Sequence, residues 1–309
     1  MTFALVFPGQ GSQAVGMMAP YGEMPGIRET FDEASSVLGQ DMWRLAAEGP
    51  AEALNLTINT QPVMLTAGTA VYRAWRKLGG AQPAFLAGHS LGEYTALVAA
   101  GSIAFVEALP LVRLRAQAMQ DAVPQGQGAM AALLGLDDDG ARAACAEASQ
   151  GEVVQAVNFN APGQVVIAGG KAAVQRAVEA AKARGAKRAI MLPVSGPFHS
   201  ALMQPAAERL KHKLAQTAVS APTIPVVNNV DVRVENEPGQ IRDALLRQLY
   251  NPVRWVEVIR YMAGAGVTQI AECGPGKVLA PLSKRIQDGV QGLALTDRNA
   301  LEQAIGGLQ

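Results

Sequence analysis

The chain has 309 residues, enough for a large core and one or two domains. It is 49% hydrophobic and only 17% charged, below the usual quarter, which excludes a disordered chain. Its 26 basic and 26 acidic residues cancel, so it lacks the basic excess of a nucleic-acid binder.

Residues 1–7 carry no basic residue and meet Pro8-Gly9 at once, so no signal peptide is expected. No apolar run is long enough to span a bilayer; the longest, near 96–106, is broken by Gly101 and Ser102. Cys145 and Cys273 lie far apart without Cys/His spacing for zinc. Buried free thiols, no metal and a cytoplasmic location are therefore expected.

The continuous apolar run 3–7 reads as a buried parallel strand. The loop Pro8-Gly9-Gln10-Gly11-Ser12-Gln13 follows at its carboxyl end, where ligands bind in open α/β sheets. No Gly-Lys-Ser/Thr follows, which argues against a phosphate loop. Helices are expected over 26–38 and 60–78, the second capped by Thr60 with Pro62 in its first turn. A short apolar run, 84–87, then leads into Gly88-His89-Ser90-Leu91-Gly92 and a helix over 91–101. Gly-x-Ser-x-Gly between a strand and a helix pushes the serine hydroxyl clear of the backbone. The helix N-terminus behind it offers N–H groups to a developing oxyanion. A nucleophile is favoured here over an ordinary Gly-rich turn.

The segment 105–122 is helical, and Leu111, Arg115, Ala118, Met119 and Ala122 form one apolar stripe. Arg115 therefore points inward, whereas Arg113, about 200° round the helix, is the solvated arginine. An inward guanidinium needs an anionic or hydrogen-bonding partner. A structural ion pair, snorkelling and a substrate anion all remain open on periodicity alone.

Between 126 and 194 the pattern changes. Strands are expected over 128–136, 153–160, 164–169 and 189–194, with helices over 137–149 and 171–184. The order β-α-β-β-α-β is that of a ferredoxin-like unit. It divides the chain into a large α/β domain, 1–125 and 195–309, and an inserted subdomain, 126–194.

The next loop, Ser195-Gly196-Pro197-Phe198-His199-Ser200, leads into a helix over 201–217. A serine nucleophile needs a base. His212 sits between lysines on a charged helix face, and the side chain of His89 diverges from its neighbour on a tight turn. His199 is left as the candidate. Chain order would place a triad acid between Ser90 and His199. Asp137, Asp138 and Asp139 read as a helix start and Glu147, Glu152 and Glu179 as surface, so no acid is named and a backbone carbonyl could hold the imidazole. Beyond it, strands are expected over 224–230, 268–272 and 292–296, and helices over 241–249, 256–265 and from the turn 274–276 to about 287.

These blocks together resemble the bacterial malonyl-CoA:acyl-carrier-protein transacylases, end to end. The resemblance rests on 7–13, Thr60-Gln61-Pro62, Gly88-His89-Ser90-Leu91-Gly92-Glu93-Tyr94, Arg115, Asn158-Phe159-Asn160, 196–200, Gln248-Leu249-Tyr250-Asn251-Pro252 and Glu272-Cys273-Gly274-Pro275-Gly276. It implies an α/β-hydrolase-like large domain with a parallel sheet core and an inserted ferredoxin-like domain. It implies Ser90 as the acylated nucleophile, His199 as its base, and the backbone N–H groups of Gln10 and Leu91 as the oxyanion hole. Arg115 would bind the malonyl carboxylate, and the backbone carbonyl of Gln248 would orient His199. Gln61, Asn160 and Phe198 would line the pocket. The implied partners are malonyl-CoA and acyl carrier protein, without nucleic acid or membrane. No cofactor is implied beyond malonyl-CoA and coenzyme A as substrate and product, because the phosphopantetheine belongs to the carrier. Lys187, Arg188, Lys284 and Arg285 are candidates for steering an acidic carrier. A serine esterase or thioesterase, and a non-catalytic carrier-docking module, are the rival readings. The first would need a triad acid and no pocket arginine; the second would need neither Ser90 nor His199.

Overall fold

The structure, a computed structural model, describes residues 2–194 and 196–308; Ser195, at the head of the His199 loop, lies outside the described residues. Strands are numbered in chain order: β1 Phe3–Phe7, β2 Phe85–Gly88, β3 Gly128–Leu134, β4 Val154–Ala161, β5 Gln164–Gly170, β6 Arg188–Met191, β7 Val226–Val227, β8 Gln269–Glu272 and β9 Gln291–Ala294.

Five strands form a parallel sheet in the order β7-β2-β1-β8-β9. Its central strand, β1, is buried along its whole length, as an unbroken apolar run requires when helices cover both faces. Register decides what the sheet presents. Phe7 pairs with Gly88 and Ala87 with Val227. The loop carrying Gln10, the turn carrying Ser90 and the loop carrying Asn229 therefore leave the sheet side by side at its carboxyl edge.

The remaining strands form an antiparallel sheet in the order β4-β5-β3-β6, with helices Asp138–Ser149 and Lys171–Ala183 between them in sequence. Strand alternation gives β3 two jobs. Ala129, Ala131 and Leu133 pack with these helices, while Met130 turns the other way, into the main core beside the candidate site. A bulge in β4 between Ala156 and Asn158 lets the chain bond to Val253: Val253 N–H donates to Val157 O at 2.9 Å and Phe159 N–H to Val253 O at 3.0 Å. These bonds tie the antiparallel sheet to the parallel part.

Several boundaries differ from the sequence reading. The second long helix runs Thr57–Lys77, so Thr60 is not its cap; the Thr60 hydroxyl instead donates back to the carbonyls of Leu54 and Leu56. The strand expected over 224–230 shrinks to Val226–Val227: the Asn228 side chain closes a local turn by accepting from the Asp231 N–H, and Asn229 turns to bond Ser90 N and Gly88 O. The strand expected over 189–194 ends at Met191, and Leu192 and Val194 line the cleft. Arg113 is half-buried rather than solvated, and donates to Leu38 O and Gln40 Oε1. Helices Met42–Ala47, Ala51–Leu54 and Arg298–Gly307 were not expected. No helix among the described residues is long and apolar enough to cross a membrane.

Two glycines test how tightly the turn after β2 is packed. A Cβ at Gly88 would lie 1.8 Å from the carbonyl carbon of Gly92, whereas one at Gly239, inside the helix Pro238–Gln248, meets nothing within 4 Å. Gly88→Ala should cost about 3 kcal/mol, and Gly239→Ala should gain roughly 0.5–1 kcal/mol from helix propensity. Urea denaturation checks both; equal midpoints for the two variants would contradict the packing.

Candidate active site

Ser90 stands between β2 and the helix Gly92–Ala99 with φ at 53°, a left-handed conformation that side chains rarely adopt. Three contacts hold it there. Asn229 Oδ1 accepts from the Ser90 N–H at 2.8 Å, and Asn229 Nδ2 donates to Gly88 O at 2.8 Å. Gly92 fits against the end of β1, where a Cβ would come within 2.0 Å of Phe7 O. On the other side, a Cβ at Gly9 would sit 2.5 Å from His89 O, so the loop carrying Gln10 lies directly on the serine turn.

His199 reaches this serine from the loop before the helix Gln204–Gln216; its own φ is 64°. Its Nε2 lies 2.7 Å from Ser90 Oγ and its Nδ1 lies 2.8 Å from the carbonyl of Gln248. A carbonyl can only accept, so Nδ1 carries the proton and Nε2 presents its lone pair to the serine hydroxyl. Burial and, next, the charge of Arg115 pull the imidazole from its ordinary 6.5 down to about 3, against the opposing effect of the Gln248 carbonyl. A lowered imidazole pKa favours the neutral ring, which is the form that can take a proton.

Arg115 lies on the helix Phe105–Asp121 and is fully buried. Its Nη1 donates to Gln61 Oε1 at 2.7 Å; its Nη2 donates to Gln248 Oε1 at 2.9 Å and to Ser90 Oγ at 3.2 Å. The Tyr94 ring lies 5.3 Å from the guanidinium carbon, and Nε has no hydrogen-bond partner among the described residues. Among the described residues no carboxylate comes within ion-pair distance of it. This is neither a snorkelling side chain nor half of a structural salt bridge. It is a buried cation, held by neutral acceptors, one hydrogen bond from a serine oxygen.

A cleft of about 200 Å³ opens onto these groups. Gln10, Ser90, Arg115 and His199 give it polar groups, Leu91 lies beside them, and Met119, Met130, Val166, Leu192, Val194 and Phe198 supply apolar lining. The N–H groups of Gln10 and Leu91 donate to no acceptor among the described residues, which leaves both available to an oxyanion. Gln61 and Asn160 also line the cleft. Asn160 Oδ1 lies 2.8 Å from His89 Nε2, and the His89 ring packs against Trp255, so His89 is turned away from the serine. His212 is exposed. Lys187, Arg188, Lys284 and Arg285 are exposed as well, but none lines the cleft, and Arg285 is engaged with Gln164 Oε1.

Sequence reasoning missed Asn229, Glu93 and the side chain of Gln248. Glu93 was legible in principle: it is the one acid in an otherwise apolar stretch, three residues after Ser90.

A family model described as "Acyl transferase domain" matches residues 4–291. The malonyl CoA-acyl carrier protein transacylase of Escherichia coli K12 is 57% identical over 304 residues, covering 98% of each chain. A crystal structure of an acyl-carrier-protein S-malonyltransferase from Burkholderia pseudomallei 1710b superposes with TM-score 0.97 at 62% identity, covering 99% of this chain and 100% of that one. A malonyl-transacylase solved in complex with a type II PKS acyl-carrier protein superposes with TM-score 0.98 at 52% identity, again over 99% and 100%.

The depressed His199 pKa has a measurable consequence. The single-turnover acylation rate should stay level from about pH 8 down to about pH 5, with no fall centred on the ordinary imidazole value. A fall centred near 6.5 that persists when Glu93 is replaced by Gln would contradict it.

Proposed function

Because the chain belongs to the acyl transferase domain family, we propose that its reaction runs through Ser90 as nucleophile and His199 as general base. The reaction is transfer of a malonyl group from malonyl-CoA to the thiol of acyl carrier protein, supplying fatty-acid synthesis. His199 Nε2 takes the Ser90 proton as Oγ attacks the thioester carbonyl. Negative charge collects on the carbonyl oxygen between the N–H groups of Gln10 and Leu91; donors so placed are worth roughly two to three powers of ten in rate. The tetrahedral intermediate collapses, the C–S bond breaks, and coenzyme A leaves with the proton from His199. A malonyl ester remains on Ser90. The carrier's phosphopantetheine thiol then gives its proton to His199 and attacks that ester; as the C–Oγ bond breaks, His199 returns the proton to Oγ, which frees the serine and leaves malonyl on the carrier.

The observation that carries this reading is Arg115: a fully buried guanidinium with no carboxylate partner among the described residues, 3.2 Å from the attacking oxygen. The malonyl carboxylate supplies the missing anion and is aimed as it binds. A hydrolase of neutral acyl groups would have no use for such a cation. The triad acid that a serine esterase would need is absent from His199, whose Nδ1 meets a backbone carbonyl. The cycle draws on no cofactor: the side chains and the two substrates supply every group. Cys145 and Cys273, both buried and free, fit the cytoplasmic location we assign. We also read the chain as two domains, with residues 126–194 inserted into a large domain made of 1–125 and 195–309. The contiguity of β3 to β6 in one sheet supports that division.

Removing Arg115 leaves a malonyl carboxylate without a partner in a desolvated site. Loss of one member of a buried charge pair costs on the order of 3–5 kcal/mol, roughly two to four powers of ten in kcat/KM. Arg115→Ala should lose that much with malonyl-CoA and lose nothing with acetyl-CoA, which has no carboxylate. Arg115→Lys should recover only part of the loss, since an ammonium cannot form the two-pronged contact. An equal fall for both acyl groups would make Arg115 a structural residue.

A further inference from the structure

Gln248 does more than lend its carbonyl to His199. Its side-chain Oε1 accepts from Arg115 at 2.9 Å, and its Nε2 donates to Ser90 O at 3.0 Å and to Glu93 Oε2 at 2.9 Å. One residue thus touches the cation, the nucleophile's backbone and, through its own backbone, the base. The arrangement works in only one orientation of the amide. Flipped, its oxygen would face two acceptors and its NH2 would face the Arg115 donor. Ser90 O alone satisfies one amide hydrogen; Glu93 satisfies the other.

Glu93 is 2% exposed and sits in the first turn of the nucleophile's helix. The same oxygen, Oε2, also accepts from the backbone N–H of Asn229 at 2.9 Å, the residue whose side chain clamps Ser90 N and Gly88 O. Both branches that hold the site therefore converge on one carboxylate oxygen. Glu93 touches neither substrate nor a reacting atom. It also stops short of Arg115, which has no direct carboxylate partner among the described residues.

We propose that Glu93 is a positioning residue: its Oε2 fixes the Gln248 amide and Asn229 together, so that Arg115 and Ser90 keep the geometry that selects and attacks a malonyl thioester. The role is that of an acceptor, not of a charge. An amide oxygen in the same place accepts the same two bonds, and a protonated carboxyl keeps its carbonyl oxygen. Burial raises the Glu93 carboxyl from 4.5 to about 7, against the hydrogen bonds from Gln248 and Asn229 and the charge of Arg115. An acceptor role predicts that this titration leaves the rate unmoved.

The inference rests on the reading of Arg115 given above, and the test separates the two. Glu93→Ala, Glu93→Gln, Gln248→Leu and the Glu93→Ala/Gln248→Leu double variant are assayed with malonyl-CoA and acetyl-CoA. Circular dichroism and thermal melting check that each is folded. Glu93→Ala should lower malonyl kcat/KM about a hundredfold and the malonyl-to-acetyl ratio about tenfold. Glu93→Gln should recover at least a third of wild-type malonyl kcat/KM. The double variant should be no worse than Gln248→Leu alone by more than about threefold, since both changes release the same amide. Should Glu93→Ala not fold, the ratio in Gln248→Leu and the rescue in Glu93→Gln still decide. Equal losses in Glu93→Gln and Gln248→Leu, additive losses in the double variant, or an unchanged acyl ratio overturns the proposal. So does a rate limb near pH 7 that Glu93→Gln abolishes, because it would mean that the charge matters. If Arg115→Ala itself leaves the acyl ratio unchanged, the Arg115 reading falls first.

Discussion

A serine forced to φ 53° is the constraint on which the rest of the site depends. That conformation costs a residue with a Cβ roughly 1–2 kcal/mol, and it persists only where its surroundings over-determine it. Here the surroundings are the carboxyl ends of three adjacent parallel strands. β1 delivers the Gly9-Gln10 loop onto His89 O, β2 delivers the serine, and β7 delivers Asn229 to hold its N–H. The strain aims Oγ toward His199 and sets Leu91, the next residue, in the cleft lining. Parallel register makes the construction possible, because it brings loops distant in sequence to one edge.

Charge is managed with equal economy. A guanidinium buried without a carboxylate is expensive, and the protein offsets that cost with neutral acceptors on Gln61 and Gln248 and the face of Tyr94. A carboxylate set directly on the guanidinium would occupy the donors that the present arrangement leaves to neutral acceptors. The Gln248 amide stands between Arg115 and Glu93, accepting from the first and donating to the second. After burial itself, the charge of the same cation lowers the His199 pKa and so favours the neutral, proton-accepting ring.

What could be read from the sequence was whatever local pattern carries. The strand-turn-helix around Ser90, the loop histidine and the inward side of Arg115 each follow from a few consecutive residues or from a helical period. The β-α-β-β-α-β order from 128 to 191 was legible for the same reason, and the ferredoxin-like strand order matches it. What was hidden acts across long separations. Asn229 meets Ser90 from 139 positions away, and Gln248 meets Glu93 from 155. No period announces such partners. The expected strand over 224–230 reads as ordinary β pattern, although the sheet keeps only Val226–Val227 and Asn229 turns to the serine instead. Thr60 looked like a cap because its residue type suits one, but the helix starts a turn earlier and turns that hydroxyl to its own carbonyls.

The central claim is that the malonyl group passes through a covalent ester on Ser90. Intact-protein mass spectrometry after exposure to malonyl-CoA, before and after addition of the phosphopantetheine-bearing carrier, measures it directly. The account requires a single malonyl increment on the native chain, discharged by the carrier thiol and missing from Ser90→Ala. An increment that survives in Ser90→Ala, or free malonate accumulating with no adduct and no carrier acylation, would contradict it.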